Sequence, residues 1–225
     1  MRTMPPTSFL ESLPGSIAAV FDSRLRPLID PPLERAAQLL DRAGIAANTL
    51  TWIGFLMGLG SALAIGLGCF AAAFVLVALN RLADGLDGPL SRLRRPTALG
   101  GYYDIVLDFL FYGLVPLAFA LHDPAANALA AAVLLASFYA NGATFLGFAA
   151  LAAREGLATR VQGQKAIYYF AGLAEGAETI AVFLAMCAFP GAFAALAAGF
   201  AILCFLSAAA RIIMVRQMLM KKEAP

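Results

Sequence analysis

The chain has 225 residues, 61% of them hydrophobic and 13% charged, with a formal net charge of +2 and a mean hydropathy of +0.80. Soluble domains carry charge on about a quarter of their residues, so there are too few charged groups here to cover a water-facing surface; soluble-enzyme, disordered and collagen-like classes give way to an integral membrane protein. The 16 basic and 14 acidic residues are scattered, without the dense basic stripe of a nucleic-acid binder, and nucleic acid is not an expected partner.

Residues 1–15 read as a flexible N-terminus without the basic and apolar regions of a signal peptide. Over residues 16–46, Arg24, Arg26, Arg35 and Arg42 alternate with Phe21, Leu25, Leu28, Leu33 and Leu39, which suits an amphipathic helix lying in the membrane interface and broken near Pro31 and Pro32. Thr49 to Gly68 is then an uncharged run of 20 residues, enough for one span of about 30 Å, with Asn48 expected as its N-cap.

The next two spans are constrained by their charges. Only 12 uncharged residues, Cys69 to Asn80, precede Arg81, and about 18 Å of helix does not cross a bilayer. The helix is therefore expected to continue through Arg81, Asp84 and Asp87. Likewise the uncharged run Phe109 to Leu121 has 13 residues, so the third span is expected to begin near Thr97 and to contain Asp104 and Asp108. A fourth span is expected within Pro124 to Ala153, a fifth from about Gln164 to Phe189 and a sixth over about Ala192 to Val215. The fold class expected is all-α integral membrane: six transmembrane helices in a domain over residues 47–217, preceded by the interfacial helix and followed by a cytoplasmic tail over 218–225. Lys and Arg concentrate at one set of loops, so both termini and the acid-bearing helix ends are expected to be cytoplasmic. Cys69, Cys187 and Cys204 lie far apart in apolar segments and read as buried hydrophobes.

Asp84 and Asp87 are three residues apart and Asp104 and Asp108 four, so each pair shares a helical face. The short basic turn between the two helices lets all four carboxylates converge. Uncompensated acids in a membrane cost about 2.5–3.5 kcal/mol each at mid-depth and repel one another. Hard oxygen ligands at this density suit Mg²⁺, Mn²⁺ or Ca²⁺. Glycines at 85, 88, 100 and 101 flank the acids and would let a ligand or a neighbouring helix approach the backbone. Gly54 and Gly58 form a GxxxG pair, read as helix packing.

DGLDGPLSR from Asp84 to Arg92, followed by Gly100, Asp104 and Asp108, resembles the signature DxxDGxxAR…GxxxDxxxD of the CDP-alcohol phosphotransferase family. Asn48 and Thr51 resemble that family's Pro-Asn-x-x-Thr start to the first span, and LNRLADGLDGPLSR, LGGYYDIVLDFLFY and YYFAGLAEGAET resemble a bacterial inner-membrane subgroup of unassigned acceptor. Ser91 stands where the signature has Ala, Ala47 where Pro is usual, and the spacer from Arg92 to Gly100 is one residue short. The resemblance implies a phospholipid-biosynthetic transferase. It would move a substituted phosphoryl group from a CDP-linked lipid such as CDP-diacylglycerol to an alcohol and release CMP. It further implies Asp84, Asp87, Asp104 and Asp108 as ligands of two Mg²⁺ or Mn²⁺ ions, with Asp108 also the candidate general base. Asn48, Thr51, Asp84, Gly85, Gly88, Arg92 and Gly100 would be CDP-binding, and the protein a homodimer of the bacterial inner membrane surrounded by membrane lipids.

Glu175 and Glu178 fall inside the fifth span, one turn apart. They read either as ion-pair partners of Arg81 or Arg211 or, with Lys165 and Arg211, as an acceptor pocket. Arg211 reads equally as a snorkelling cation. Asn141 and Thr144 read either as inter-helix hydrogen-bonding groups or as residues facing the cavity. Two rivals remain at the level of sequence: an ion-coupled transporter using its intramembrane acids, and a non-catalytic CDP-lipid-binding relative, which would be expected to lack a signature acid.

Overall fold

The computed structural model describes residues 31–94, 96–154 and 176–223. The expectations for residues 1–30, Lys165 and Glu175 fall outside them. Among the described residues the chain is entirely helical. Residues 31–42 are helical (α1). They are followed by α2 (Ala47–Gly66), α3 (Phe70–Arg94), α4 (Ala98–His122), α5 (Pro124–Arg154), α6 (Gly176–Ala188), a single 3₁₀ turn (Pro190–Ala192) and α7 (Phe193–Glu223).

Four stretches, in α2, α4, α5 and from Pro190 through α7 to Met220, are long and apolar enough to cross a membrane, and α6 is a shorter apolar helix. At 25 residues α3 has the length, but its Arg and Asp residues keep it out of that class. It nevertheless runs unbroken through Arg81, Asp84 and Asp87, and through Pro89, as the charge arithmetic requires. α4 starts where expected: Thr97 is its N-cap and accepts a hydrogen bond from the Gly100 amide at 3.0 Å. α7 runs eight residues beyond the predicted end at Val215.

The junctions are set by glycine and by caps. Gly44 (φ +80°) and Gly68 (φ +77°) take the left-handed conformation that a Cβ disfavours. Each closes a Schellman turn: Gly44 N to Asp41 O with Ile45 N to Leu40 O, and Gly68 N to Ile65 O with Cys69 N to Ala64 O. One expectation is overturned here, because Asn48 does not cap α2. The N-cap is Ala46, without a side-chain bond; the Gly44 turn delivers the chain into the helix earlier, and Asn48 points instead towards α4. At α5, Asp123 Oδ1 accepts from Ala126 N at 3.1 Å with Pro124 beginning the helix, a favourable N-terminal pair.

α2 packs on α3 and α4, α5 on α4 and α7, and α3 on α6. The main core joins Ile65, Val77, Phe111, Val115, Phe119, Leu134, Phe183 and Phe193, with the Phe119 and Phe193 rings stacked at 4.3 Å. Where lipid is the solvent, close contact rather than expulsion of water drives such packing. Both glycines of the GxxxG pair are consumed by it. A Cβ on Gly58 would lie 2.7 Å from Phe111 Cδ2, and one on Gly54 would lie 3.1 Å from the Ala83 Cβ. A second, smaller core of Ala37, Leu50, Ala83 and Leu90 seats α1 on α2 and α3. Arg94 fastens α1 further by donating to the Asp41 carboxylate and, at 2.9 Å, to the Asp41 carbonyl.

Candidate active site

The acids converge because α3 and α4 are joined by a short turn and both rest on α2. Asp84, Asp104 and Asp108 each offer a carboxylate oxygen lying within 4.8 Å of the others. Asp84 and Asp108 are half-buried, and Asp104 is exposed. Three hard oxygen donors so close together fit a divalent cation of the Mg²⁺ or Mn²⁺ kind. Arg81, one turn before Asp84, forms an ion pair with it and offsets part of the charge that would otherwise repel. Tyr112, four residues after Asp108, sets its hydroxyl 3.4 Å from Asp108 Oδ2. Sequence reasoning passed over Tyr112, although its i+4 spacing from an acid was a readable signal.

Asp87, the fourth predicted acid, does not meet the mutual spacing of the other three. Its Oδ2 accepts a 2.8 Å hydrogen bond from Thr51 Oγ1 on α2. It still borders the same small cavity, which Thr51, Asn80, Asp84 and Asp108 also line. The backbones are pinned beside that cavity: Asn80 Nδ2 donates to the Gly54 carbonyl at 2.9 Å, and Gly54 lies against Ala83.

The glycines divide into two kinds. A Cβ on Gly85 would meet nothing within 4 Å, and one on Gly88 only Arg92 Nη1 at 3.7 Å. Packing therefore does not demand either, and both leave open approach to the backbone beside the acids. Gly100 differs, since a Cβ there would come within 2.8 Å of Asn48 Oδ1 and 3.1 Å of Thr97 Oγ1. Close fit with Asn48 accounts for that glycine without a ligand. Arg92 is exposed and borders a separate cavity of about 250 Å³ with Glu34 and Gln38 of α1.

On the other side of the acids, a cavity of about 710 Å³ is bounded by α4, α5, α6 and α7, with Asp104, Asp108, Phe109, Tyr112, Phe138 and Arg211 among its walls. Arg211 does not snorkel. It is 5% exposed and its Nη1 donates to Asn141 O and Oδ1 at 3.0 Å and to Thr144 Oγ1 at 2.9 Å, tying α7 to α5 beside the Phe145 ring. These oxygens replace part of the water that a buried guanidinium gives up. Asn141 and Thr144 thus serve as inter-helix hydrogen-bonding groups. Glu178 is half-buried, and among the described residues no ion pair joins it to Arg81 or Arg211. Gly176 and Thr179 on the same helix reach the large cavity.

The chain is 45% identical over 193 residues to inner membrane protein YnjF of Escherichia coli, a match that covers 86% of this chain and 94% of that protein. It is also 36% identical over 89 residues to archaetidylinositol phosphate synthase of Pyrococcus horikoshii and 34% identical over 92 residues to the protein of the same name from Methanothermobacter thermautotrophicus. The chain belongs to the CDP-alcohol phosphotransferase family. No protein-family model matches it. The two archaeal matches cover 39% and 40% of this chain and 47% and 44% of those proteins, so within the CDP-alcohol phosphotransferases they relate a part of the chain, whereas the Escherichia coli membrane protein is related along nearly all of it.

Proposed function

We propose that this CDP-alcohol phosphotransferase is a phospholipid-biosynthetic enzyme that transfers a phosphatidyl group from CDP-diacylglycerol to an alcohol and releases CMP. The observation that carries the reading is the meeting of Asp84, Asp104 and Asp108 within 4.8 Å on the residues of the family signature. In this reading Asp84, Asp87, Asp104 and Asp108 hold two Mg²⁺ or Mn²⁺ ions, and Gly85, Gly88 and Arg92, with Asn48, Thr51 and Gly100 nearby, line the CDP site. When bound, the ions supply charge neutralisation for the pyrophosphate and for the departing CMP. Asp108 accepts the acceptor's hydroxyl proton; the hydroxyl oxygen bonds to the phosphorus esterified to the lipid, the bond from that phosphorus to the bridging oxygen breaks, and CMP leaves with its electron pair. The large cavity beside Asp108 supports a second substrate on that side, with Arg211 buttressing its wall and Lys165, Glu175 and Glu178 contributing to the acceptor pocket.

α3 and the expected fifth span, of which α6 is the described part, would complete six spans over residues 47–217, and the arginine-bearing loops would lie on the cytoplasmic side of a bacterial inner membrane. The small-residue faces suit a homodimer. The test is CMP release from CDP-diacylglycerol by purified protein with Mg²⁺ or Mn²⁺ and a panel of glycerol 3-phosphate, inositol, inositol phosphate, serine and a lipid alcohol. Release that needs both the metal and one acceptor is the expected outcome. No release across the panel, with metal-dependent CDP binding intact, would favour the non-catalytic relative.

A further inference from the structure

Thr51 Oγ1 stands 2.8 Å from Asp87 Oδ2 and 3.1 Å from the Ala47 carbonyl one turn earlier on its own helix. A hydroxyl carries one proton, so it serves one of these acceptors well at a time, and the carboxylate is the stronger of the two. Around this pair the backbone has little freedom. Gly54, three residues further along α2, is held by the Asn80 side chain and pressed against Ala83, while Leu50 is buried in the small core shared by α1, α2 and α3. The remaining soft coordinate is rotation of the Asp87 side chain, which already borders the cavity reached by Asp84 and Asp108.

We propose that Thr51 is a positioning residue for Asp87: its hydroxyl holds the Asp87 carboxylate against α2, apart from the Asp84, Asp104 and Asp108 group, and the carboxylate leaves Thr51 to join a bound divalent ion. The inference rests on the reading above that the aspartates hold such ions. The Ala47 carbonyl gives the hydroxyl a second acceptor when Asp87 departs, so the exchange strands no polar group. Thr51 therefore acts as a competitor for a ligand, and its removal should strengthen ion binding where loss of a structural bond would weaken it.

The experiment is a Mn²⁺ titration of the full chain in detergent, with free Mn²⁺ followed by its electron paramagnetic resonance signal and no nucleotide or lipid donor added. Thr51→Val should tighten binding at the site that uses Asp87 by roughly tenfold, the scale of a lost hydrogen bond to a charged group partly offset by the second acceptor. Thr51→Ala, a second hydroxyl-free variant, should behave alike, and Thr51→Ser should stay within about twofold of wild type, because it keeps the hydroxyl. In an Asp87→Asn background, Thr51→Val should have no further effect. Unchanged or weaker Mn²⁺ binding in both hydroxyl-free variants overturns the proposal while leaving the metal reading standing; a wild-type chain that binds no Mn²⁺ overturns both.

Discussion

A close and fully enclosed fit lies between Gly58 of α2 and Phe111 of α4, and Gly58→Ala tests whether it sets the spacing of the helices that carry the acids. The added Cβ would sit 2.7 Å from Phe111 Cδ2 and 3.2 Å from Cγ and Cε2, where carbon atoms prefer about 3.5–4.0 Å. Something must yield by nearly 1 Å. Phe111 is 1% exposed and sits edge-on to Phe183 at 5.8 Å, so its ring has no free volume to enter and the helices must part. Overpacking of this kind costs about 1–3 kcal/mol. Phe111 also follows Asp108 by about 4.5 Å of helical rise, so displacement of α4 there should lower catalytic rate as well. Unfolding in mixed micelles of wild type, Gly58→Ala, Phe111→Leu and the double variant gives the coupling. The double variant should be more stable than the sum of the single losses predicts by about 1 kcal/mol or more, because the leucine vacates space the new methyl needs. Full additivity, or a Gly58→Ala chain as stable as wild type, would refute the reasoning.

Gly142→Ala creates a shorter nominal contact, 2.3 Å from Phe109 Cε1, yet Phe109 is 40% exposed and its ring can swing outwards; the loss in the same unfolding assay should be smaller than for Gly58→Ala. Arg94→Ala breaks an exposed ion pair with Asp41, and should cost no more than about 1 kcal/mol, less at high salt, in unfolding measured at two ionic strengths. Asp108→Asn should abolish CMP release while CDP binding persists, and turnover at the wild-type rate in that variant would remove Asp108 from the role of base.

Charge placement within apolar runs made the site legible. Arg81, Asp84 and Asp87 are too close to Cys69 for the second span to end before them, and that arithmetic alone predicted an unbroken α3 and the start of α4 at Thr97. The GxxxG pair was legible because small residues one turn apart have few uses other than close packing. Partners set by the register between helices were not. Thr51 could be picked out by resemblance, but its bond to Asp87 depends on how Gly54 seats against Asn80 and Ala83, a contact made 26 residues apart in the chain. Asn48 reads as a cap by residue type; the Gly44 turn and the need to fill the space beside Gly100 take precedence over that local preference. Arg211 was ambiguous for the same reason, since its partners Asn141 and Thr144 lie 70 and 67 residues away in the chain.

The tight Gly68 turn, finally, bears on how the chain enters the bilayer. α3 alone is a poor candidate for release into lipid: at mid-depth each of its charged groups would add about 2.5–3.5 kcal/mol, and it is not among the helices apolar enough to cross unaided. With only three residues separating it from α2, α3 would, in the proposed six-span arrangement, leave the translocation machinery as one arm of a helical hairpin, with its Arg81–Asp84 pair and the Thr51–Asp87 bond formed. A reporter fused after α3 should therefore register a second crossing when α2 precedes it and lose that crossing when α2 is replaced by a polar segment. In that arrangement the hydroxyl that holds Asp87 would offset part of the cost of placing an acidic helix in lipid.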